Sequence, residues 1–444
     1  MVPFLFGGPS FYTSSLDVVR QLLKDEGKSR LVKPRELTAV LLLWGENLVS
    51  ANGETWKRHR RIVSPAFTTK TYALVWQETI STYREMTAAE SWESREEIIL
   101  SDINHLTRNF ALVIISRCGF GLPMPWKKQD DAQGLSFGEV LTIVSDTSIP
   151  RLIIPRWTYK LPIKWLRDME HAWTMLASYM DAIIGTKKEE LSEATAFADD
   201  KQRGDVFTRL VAALDTDGKY GLDKHEVIGN TFTMMFAGHE TTASVLAATL
   251  GYLAIHSDQQ DKAYQEILDA IPSDRDPVIE DVPNLPHTLA CFQESLRLFP
   301  AGVMVTRDMT EDTVIKVSHP SEKTMLLRKG SRMIIDMIGV HHDPKVFPEP
   351  ETYRPSRWYG VSEHEIPMFG IGPRACIGQK FGQTEALCFL SLFLRDWKLD
   401  ILPEGGESRQ QYEERVMGNA GRVGLAFGVG PISLKLTRRE QSSN

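Results

Sequence analysis

The ten residues from Phe369 to Gly378, Phe-Gly-Ile-Gly-Pro-Arg-Ala-Cys-Ile-Gly, constrain this chain more than any other segment. They place Cys376 in a glycine-rich loop, two residues after Arg374 and just before an apolar helical stretch. A helix that starts there offers unpaired backbone N–H groups and the positive end of its dipole to a negatively charged sulfur. Gly372 and Gly378 have no Cβ, so the backbone can approach a flat ligand closely. The loop predicts a stabilised thiolate; the alternative is a buried structural cysteine.

Five positions of this loop resemble the haem-binding loop of the cytochrome P450 family, Phe-x-x-Gly-x-Arg-x-Cys-x-Gly: Phe369, Gly372, Arg374, Cys376 and Gly378. The resemblance covers nearly the whole chain and is to the eukaryotic, membrane-bound members, fungal ones included. It implies a mainly α fold with small β-sheets and a long central helix over the haem. It also implies haem b as the cofactor, with the Cys376 thiolate as the axial ligand of the iron.

Composition and charge limit the class of protein. Hydrophobic residues make up 42% of the 444 residues and charged residues 25%, which is typical of a globular chain with a deep core. Because no linker rich in Pro, Gly or Ser divides the chain, we expect residues 1–444 to form one large helical domain, and the resemblance implies that it is a single haem domain. The formal net charge of -7 argues against nucleic acid as a partner. The four cysteines show no framework spacing, which favours a reducing compartment.

Membrane signals are weak in this sequence. No apolar run reaches the ~18 residues of a transmembrane helix, and no secretory signal opens the chain. The sequence begins with residues 1–8 close to where the second helix of the family should start, so we expect the membrane anchor and the first helix to be missing. The resemblance nevertheless implies a location at the cytoplasmic face of the endoplasmic reticulum membrane.

Hydrophobic periodicity predicts a helix-rich chain. Helices are expected after the caps Ser14 and Ser15 and over residues 55–86, 97–118, 167–190, 223–256 and 287–298, the last ended by Pro300. Short strands are expected over residues 313–337, around a hairpin turn at Lys329-Gly330. Residues 404–421 are expected to form a loop, and residues 423–436 a late hairpin.

A glycine interrupts the middle of the longest predicted helix, in Ala237-Gly238-His239-Glu240-Thr241. Glycine inside a helix costs about 0.5–1 kcal/mol relative to alanine, so we expect it to make room for dioxygen beside a locally widened helix. The Thr241 hydroxyl could bond the Ala237 carbonyl and open the backbone ladder. The resemblance implies that Ala237 adjoins the haem and that Glu240 and Thr241 relay protons during dioxygen cleavage. The alternative is a kinked core helix.

The roles of two groups of charged and polar residues can be interpreted only through the resemblance. Glu294 and Arg297 lie three residues apart on one helix face, and Arg357 follows in Tyr-Arg-Pro-Ser-Arg-Trp. The resemblance implies that these three form a buried structural triad beneath the haem loop, whereas a solvated surface pair is the alternative. It also implies that the haem propionates bind donors spaced as in Trp-x-x-x-Arg and in the cysteine loop. Those donors are Trp56, Arg60, Arg307 and Arg374.

The helix predicted over residues 55–86 carries a basic cluster, although the chain as a whole is acidic. The cluster comprises Lys57, Arg58, Arg60 and Arg61. An acidic flavin domain of a reductase could dock there; an ordinary solvated helix face is the alternative. Residues 151–157, continuing to Leu161 and Trp165, mix Trp and Leu with basic residues. They could lie at a membrane surface or pack in the core.

Apolar residues lie beside the glycine of the longest predicted helix and directly after Pro300, and both segments are expected to adjoin the haem. The expected substrate pocket comprises Phe236, Ala237, Ala301, Gly302, Val303 and Met304. Such a lining favours a lipophilic substrate, for example a terpenoid, a fatty acid or an aromatic secondary metabolite.

The resemblance implies a haem-thiolate monooxygenase, which inserts one oxygen atom from O2 into a lipophilic small molecule. No flavin or dinucleotide fingerprint is present, so electrons would come from NADPH–cytochrome P450 reductase, with cytochrome b5 as a further donor. One alternative is a haem-thiolate isomerase or dehydratase, against which the Glu240-Thr241 pair counts. Another is a non-catalytic haem-binding or helical scaffold protein.

Overall fold

The computed structural model describes residues 10–24, 30–127, 134–194, 204–319, 321–362, 365, 366, 368–423 and 426–440. Residues 1–8, which bear on the expected missing anchor, lie outside the described residues. Among the residues that are described, no helix combines the length and apolar character needed to cross a bilayer.

Helices dominate the described residues, as the periodicity predicts. Their bounds are α1 Leu16–Leu23, α2 Ala39–Leu42, α3 Gly53–Val63, α4 Thr69–Ala89, α5 Ile103–Phe120, α6 Phe137–Ile153, α7 Lys164–Ala194, α8 Val206–Ala212, α9 Lys224–Ile255, α10 Ser257–Ala270, α11 Pro286–Leu298, α12 Met337–His341, α13 Gln379–Asp396 and α14 Arg409–Met417. The predicted long helix over residues 223–256 is confirmed as α9. The helices predicted at residues 167–190 and 287–298 are confirmed as α7 and α11.

The strands form small sheets. Their bounds are β1 Ser10–Thr13, β2 Leu31–Val32, β3 Glu97–Leu100, β4 Met304–Met309, β5 Thr313–Val317, β6 Lys323–Leu327, β7 Arg332–Asp336, β8 Trp397–Ile401, β9 Gly421–Val423, β10 Ala426–Gly428 and β11 Leu434–Arg438. One sheet has the order β1-β7-β4-β2, and another has the order β3-β11-β8. β5 pairs with β6, and β9 pairs with β10. Among these strands β1 and β7 run parallel, with Ser10 opposite Arg332, and the other pairs are antiparallel.

The chain divides into two compact units. The first unit comprises residues 1–32, 72–114 and 240–444, and the second comprises residues 33–71 and 115–239. In the first unit, α13 is buried along most of its length and packs with α10 and α11. In the second unit, α6 packs on α7, and the ring of Trp44 lies between Trp173 and Phe232 at centroid distances of 4.9 and 5.2 Å.

Some predicted boundaries are wrong because local signals were overlooked. Residues 97–100 are not helical but form β3, which pairs with β11. The helix predicted over residues 55–86 is interrupted by a 3₁₀ turn at Ser64–Ala66, where Pro65 removes a backbone donor. The loop predicted over residues 404–421 contains α14, which starts with a reciprocal capping box between Ser408 and Gln411.

Other differences concern which strands pair with each other and whether a predicted helix cap forms a hydrogen bond. The strands on either side of Lys329-Gly330, β6 and β7, belong to different sheets, so this turn does not close a hairpin. The late hairpin is β9–β10, whereas the following strand β11 joins β3 and β8, where Leu434 and Leu436 are buried. Ser15 precedes α1 as predicted, but its side chain makes no capping hydrogen bond.

Candidate active site

The loop that contains Cys376 is closed by its own backbone. The Cys376 N–H donates to the Phe369 carbonyl at 2.8 Å, and the Ala375 N–H donates to the Gly372 carbonyl at 3.1 Å. Cys376 is exposed, whereas Cys118, Cys291 and Cys388 are buried. Burial raises the pKa of the Cys291 and Cys388 thiols, which keeps them protonated and unreactive. The thiol presented to a ligand is therefore that of Cys376.

The two glycines of this loop differ in their roles. Gly372 has φ +74°, and a Cβ there would overlap the carbonyl oxygen of Leu23 at the end of α1. Packing within the first unit thus requires Gly372, and its expected role in leaving room for a flat ligand stays a prediction. Gly378 lies at the start of α13, and a Cβ there would be 4.0 Å from the Cys376 sulfur. Gly378 keeps the surroundings of the sulfur open.

These residues fit a haem ligated by thiolate. The sulfur of Cys376 is accessible, and α13 begins at Gln379, three residues later. The first N–H groups of that helix and its positive dipole end favour the thiolate over the thiol. A single accessible thiolate in such a loop supplies one axial ligand, which is what haem requires of a protein on one face.

The predicted acid–alcohol pair lies in the middle of α9. Glu240 is buried and Thr241 is half-buried. The next residue, Thr242, packs against α13, because a Cβ on Gly382 would be 3.2 Å from the Thr242 hydroxyl. Gly382 lies six residues after Cys376, so the first unit brings the Glu240–Thr242 segment close to the helix that follows the cysteine loop.

The glycine in this motif also has a packing role that the sequence did not show. A Cβ on Gly238 would be 2.6 Å from Cγ1 of Ile115, so the glycine allows α9 to pack closely on α5 within the second unit. α9 is a continuous α-helix from Lys224 to Ile255. Helix packing accounts for the glycine, and the expected room for dioxygen and the bond between the Thr241 hydroxyl and the Ala237 carbonyl stay predictions.

Glu294, Arg297 and Arg357 meet in the first unit as a buried cluster. Glu294 Oε1 accepts from Arg297 Nη2 and from Arg357 Nε, each at 2.8 Å. Glu294 Oε2 accepts from Arg297 Nε at 3.0 Å and from Trp358 Nε1 at 2.9 Å. The backbone N–H of Arg354 completes the set at 3.0 Å. The alternative of a solvated surface pair is wrong, because Glu294 and Arg297 are fully buried.

The side chains predicted to bind haem propionates occupy separate elements. Trp56 is buried and Arg60 half-buried, one turn apart on α3 of the second unit. In the first unit, Arg307 is buried on β4 and donates to the Thr306 carbonyl at 2.8 Å. Arg374 is half-buried and ends the 3₁₀ turn of the cysteine loop. Their roles toward haem stay predictions.

The predicted pocket residues fall into two groups. In the second unit, Phe236 is half-buried and stacks on Phe232 at 6.2 Å. In the first unit, Ala301 and Val303 are half-buried, whereas Met304 is 60% exposed. Their assignment to a substrate pocket stays a prediction.

One neighbour of the predicted pocket was missed at the sequence level. The Phe427 N–H donates to the Ala301 carbonyl at 3.2 Å, and its ring stacks on Phe299 at 6.4 Å. The available signal was an aromatic residue in a predicted late hairpin. Sequence spacing could not show that this hairpin returns to residue 301.

The basic cluster on α3 is only partly a free charged face. Lys57 pairs with Glu54 at 2.6 Å, and Arg61 donates to the Lys219 carbonyl. Arg58, however, forms an ion pair with the buried Glu226. Arg58 is therefore less available to a partner than Lys57 or Arg61, because its guanidinium compensates a buried carboxylate.

The segment after α6 presents apolar side chains to solvent. Ile153 and Trp157 are 71% and 67% exposed, and Leu161 and Trp165 are also exposed. Core packing is therefore wrong for these four residues. Arg151, in contrast, packs over the Trp173 ring at 5.2 Å within the second unit.

Comparisons with known proteins identify the family of this chain. The family model described as cytochrome P450 matches residues 4–423. Cytochrome P450 monooxygenase 124 of Postia placenta is 30% identical over 420 residues, which cover 92% of this chain and 80% of that protein. Human cytochrome P450 4F12 is 30% identical over 411 residues, covering 88% of this chain and 75% of its own length.

The fold is also that of solved members. A zebrafish cytochrome P450 structure with abiraterone superposes with a TM-score of 0.75 at 22% identity, covering 98% of this chain and 95% of the other. That likeness concerns the fold. The matched family model, the relatives and the cysteine loop together establish that this chain belongs to the cytochrome P450 family and is an oxidoreductase of the monooxygenase type.

Proposed function

We propose that this protein is a haem-thiolate monooxygenase that acts on a lipophilic small molecule such as a terpenoid, a fatty acid or another secondary metabolite. The observation that carries the proposal is the exposed Cys376 in its closed loop, next to the start of α13. Cys376 would hold haem b, with Trp56, Arg60, Arg307 and Arg374 as donors to its propionates. Haem with a thiolate ligand supplies the activation of O2 for insertion of one oxygen atom into a substrate.

The residues of α9 would handle protons. The Glu240 carboxyl is buried and the Thr241 hydroxyl half-buried, so each can hold a proton away from bulk water. We assign proton delivery to these two groups. The apolar side chains of Phe236, Ala301, Val303 and Met304 would bind the substrate and exclude water.

The test uses the reduced protein with carbon monoxide. We expect the red-shifted Soret band of thiolate ligation in the wild type and its loss in Cys376→His. Cys388→Ser is the matched control, because that cysteine is buried, and we expect it to keep the band. An imidazole-type or absent band in the wild type would refute the proposal. Substrate-dependent NADPH consumption with added reductase then separates a monooxygenase from an isomerase.

Electrons would reach this protein from NADPH–cytochrome P450 reductase, with cytochrome b5 as a further donor, and we propose docking on the basic face of α3. Lys57 and Arg61 are the residues to change, because Arg58 is needed by Glu226. Lys57→Glu with Arg61→Glu should slow reduction several-fold at low salt and less at high salt. The control is Arg328→Glu, at an exposed arginine of the first unit, and it should not slow reduction. Reduction at the wild-type rate would exclude this surface.

We propose a location at the endoplasmic reticulum membrane from the family resemblance, and the exposed apolar segment supports contact with a membrane surface. Ile153 and Trp157, flanked by Arg156 and Lys160, are suited to shallow insertion among lipid headgroups. We expect flotation with vesicles of mixed neutral and anionic lipid, reduced in Trp157→Glu but not in Val314→Glu, where another exposed apolar residue is changed. Equal flotation of the two variants would contradict membrane contact by this segment.

A further inference from the structure

A buried polar network joins α3 to the beginning of α9 in the second unit. His59, on α3, is fully buried, and its Nε2 lies 3.0 Å from Glu226 Oε1. Its Nδ1 lies 3.2 Å from the Asn230 side-chain nitrogen. Arg58, the residue before it, forms an ion pair with the same Glu226. Two consecutive residues of α3 are therefore held by one carboxylate of α9.

The hydrogen bonds of Asn230 determine the tautomer of His59. Asn230 Oδ1 accepts from the Leu48 N–H at 2.8 Å, so the Asn230 nitrogen faces the histidine. That nitrogen donates to the Glu226 carbonyl at 2.7 Å and uses its second hydrogen toward His59 Nδ1. Nδ1 is thus an acceptor, and Nε2 carries the proton that is donated to the Glu226 carboxylate. Burial lowers the pKa of His59, which agrees with a neutral ring.

Glu226 is itself fixed by the start of α9. Its Oε2 accepts from the Asp223 N–H at 3.1 Å, and its own N–H donates to Asp223 Oδ1 at 2.8 Å. This is the reciprocal arrangement of a capping box. The loop before α3 packs on the same turns, since a Cβ on Gly229 would be 2.6 Å from the Gly45 carbonyl oxygen. The carboxylate that receives His59 therefore has little freedom to move.

His59 is also the neighbour of Arg60 on α3, and Trp56 lies three residues before it. We propose that His59 is a positioning residue, which holds the rotation of α3 through Glu226 and Asn230 so that Arg60 is presented to a haem propionate. This inference rests on the proposed function, because it assumes that Arg60 binds haem. It goes beyond the function in assigning the orientation of that donor to a neutral histidine that would not itself touch haem.

The test is a double-mutant cycle of His59→Phe and Arg60→Ala, measured as the rate of haem transfer to a scavenger protein. Arg60→Ala should release haem about tenfold faster, as expected for one charge-assisted hydrogen bond. His59→Phe keeps a ring but cannot bond Glu226 or Asn230, and should release haem several-fold faster. If His59 acts through Arg60, the double variant should release haem no faster than Arg60→Ala. Additive effects would overturn the proposal.

Trp173→Phe is the control for a merely structural effect. It removes a buried hydrogen bond of the same unit, from Trp173 Nε1 to Thr147 Oγ1 at 3.0 Å, and keeps an aromatic ring. We expect it to lower the unfolding temperature without changing haem release. If it accelerates haem release as much as His59→Phe for the same loss of stability, the positioning role is refuted.

A further variant covers the case in which His59→Phe does not fold. His59→Gln keeps a donor within reach of Glu226 and should release haem no faster than an intermediate rate; a folded His59→Gln whose effect adds to that of Arg60→Ala would refute the role. A wild type without the thiolate band would instead refute the proposed function. With that band present, additivity in the cycle refutes only the role of His59.

Discussion

Glu294 on α11 and Glu385 on α13 are both fully buried glutamates of the first unit, but their surroundings are opposite. Glu294 accepts hydrogen bonds from Arg297, Arg357 and Trp358. Both carboxyl oxygens of Glu385 are buried without a hydrogen-bond partner among the described residues. Burial raises the pKa of Glu385 well above its usual range. The first carboxylate is compensated by two guanidinium groups, and the second group is held as a neutral acid.

The contrast shows that burial alone does not determine what a charged residue type does. A carboxylate with two guanidinium partners is stable as a set, and removal of one member leaves uncompensated charge in the interior. A carboxyl group without partners keeps its proton, because the interior penalises the ionised form. Loss of the two side chains should therefore have opposite effects on stability.

The largest effect is expected for Glu294→Gln. The substitution leaves Arg297 and Arg357 facing a neutral amide, so the free energy of unfolding should fall by about 3–5 kcal/mol. Urea unfolding followed by circular dichroism measures it. Glu54→Gln, at the exposed partner of Lys57, is the matched control and should leave the unfolding midpoint nearly unchanged. Similar midpoints for the two variants would show that Glu294 does not compensate the arginines.

A smaller effect of opposite sign is expected for Glu385→Leu. Leucine fills a similar volume and has no polar group to bury, so the free energy of unfolding should rise by about 1–3 kcal/mol. The same urea experiment at about pH 4, where the unfolded-state carboxyl group is also largely protonated, measures the change. Destabilisation by Glu385→Leu would mean that the carboxyl group makes a favourable contact in the folded protein.

The most specific effect is the pH dependence of Glu385→Gln. Because the folded-state pKa of Glu385 is raised, unfolding above the unfolded-state pKa releases a proton, and Glu385 lowers stability increasingly as pH rises. The advantage of glutamine should be near zero below about pH 4 and grow by about 1.4 kcal/mol per pH unit until the folded-state pKa is reached. Urea titrations of both proteins at several pH values measure the difference. A pH-independent difference would contradict a neutral Glu385.

Features encoded by short spacing could be predicted from the sequence. The start of α13 after Cys376 and the long helix α9 follow from apolar period and glycine placement. Glu294 and Arg297 could be paired because three residues bring side chains to one helix face. Arg357, 63 residues beyond Glu294, could be added only through the resemblance to a known family.

Features that depend on distant partners could not be predicted. Arg58 looks like a surface residue in sequence, but its partner Glu226 lies 168 positions away. The close packing of Gly238 on Ile115 also could not be seen in the sequence. The residues around Glu385 in the sequence do not indicate that its buried carboxyl group has no hydrogen-bond partner among the described residues.

The sequence by itself determined the chemistry of the cysteine loop, the helix-rich class and the family, because these are written in the identity and spacing of neighbouring residues. Only the tertiary structure decided which buried charges are compensated, that packing requires Gly238 and Gly372, and that Phe427 pairs with Ala301. These properties depend on contacts between segments far apart in sequence. Such contacts form when apolar faces pack, and residue spacing within one element does not specify them.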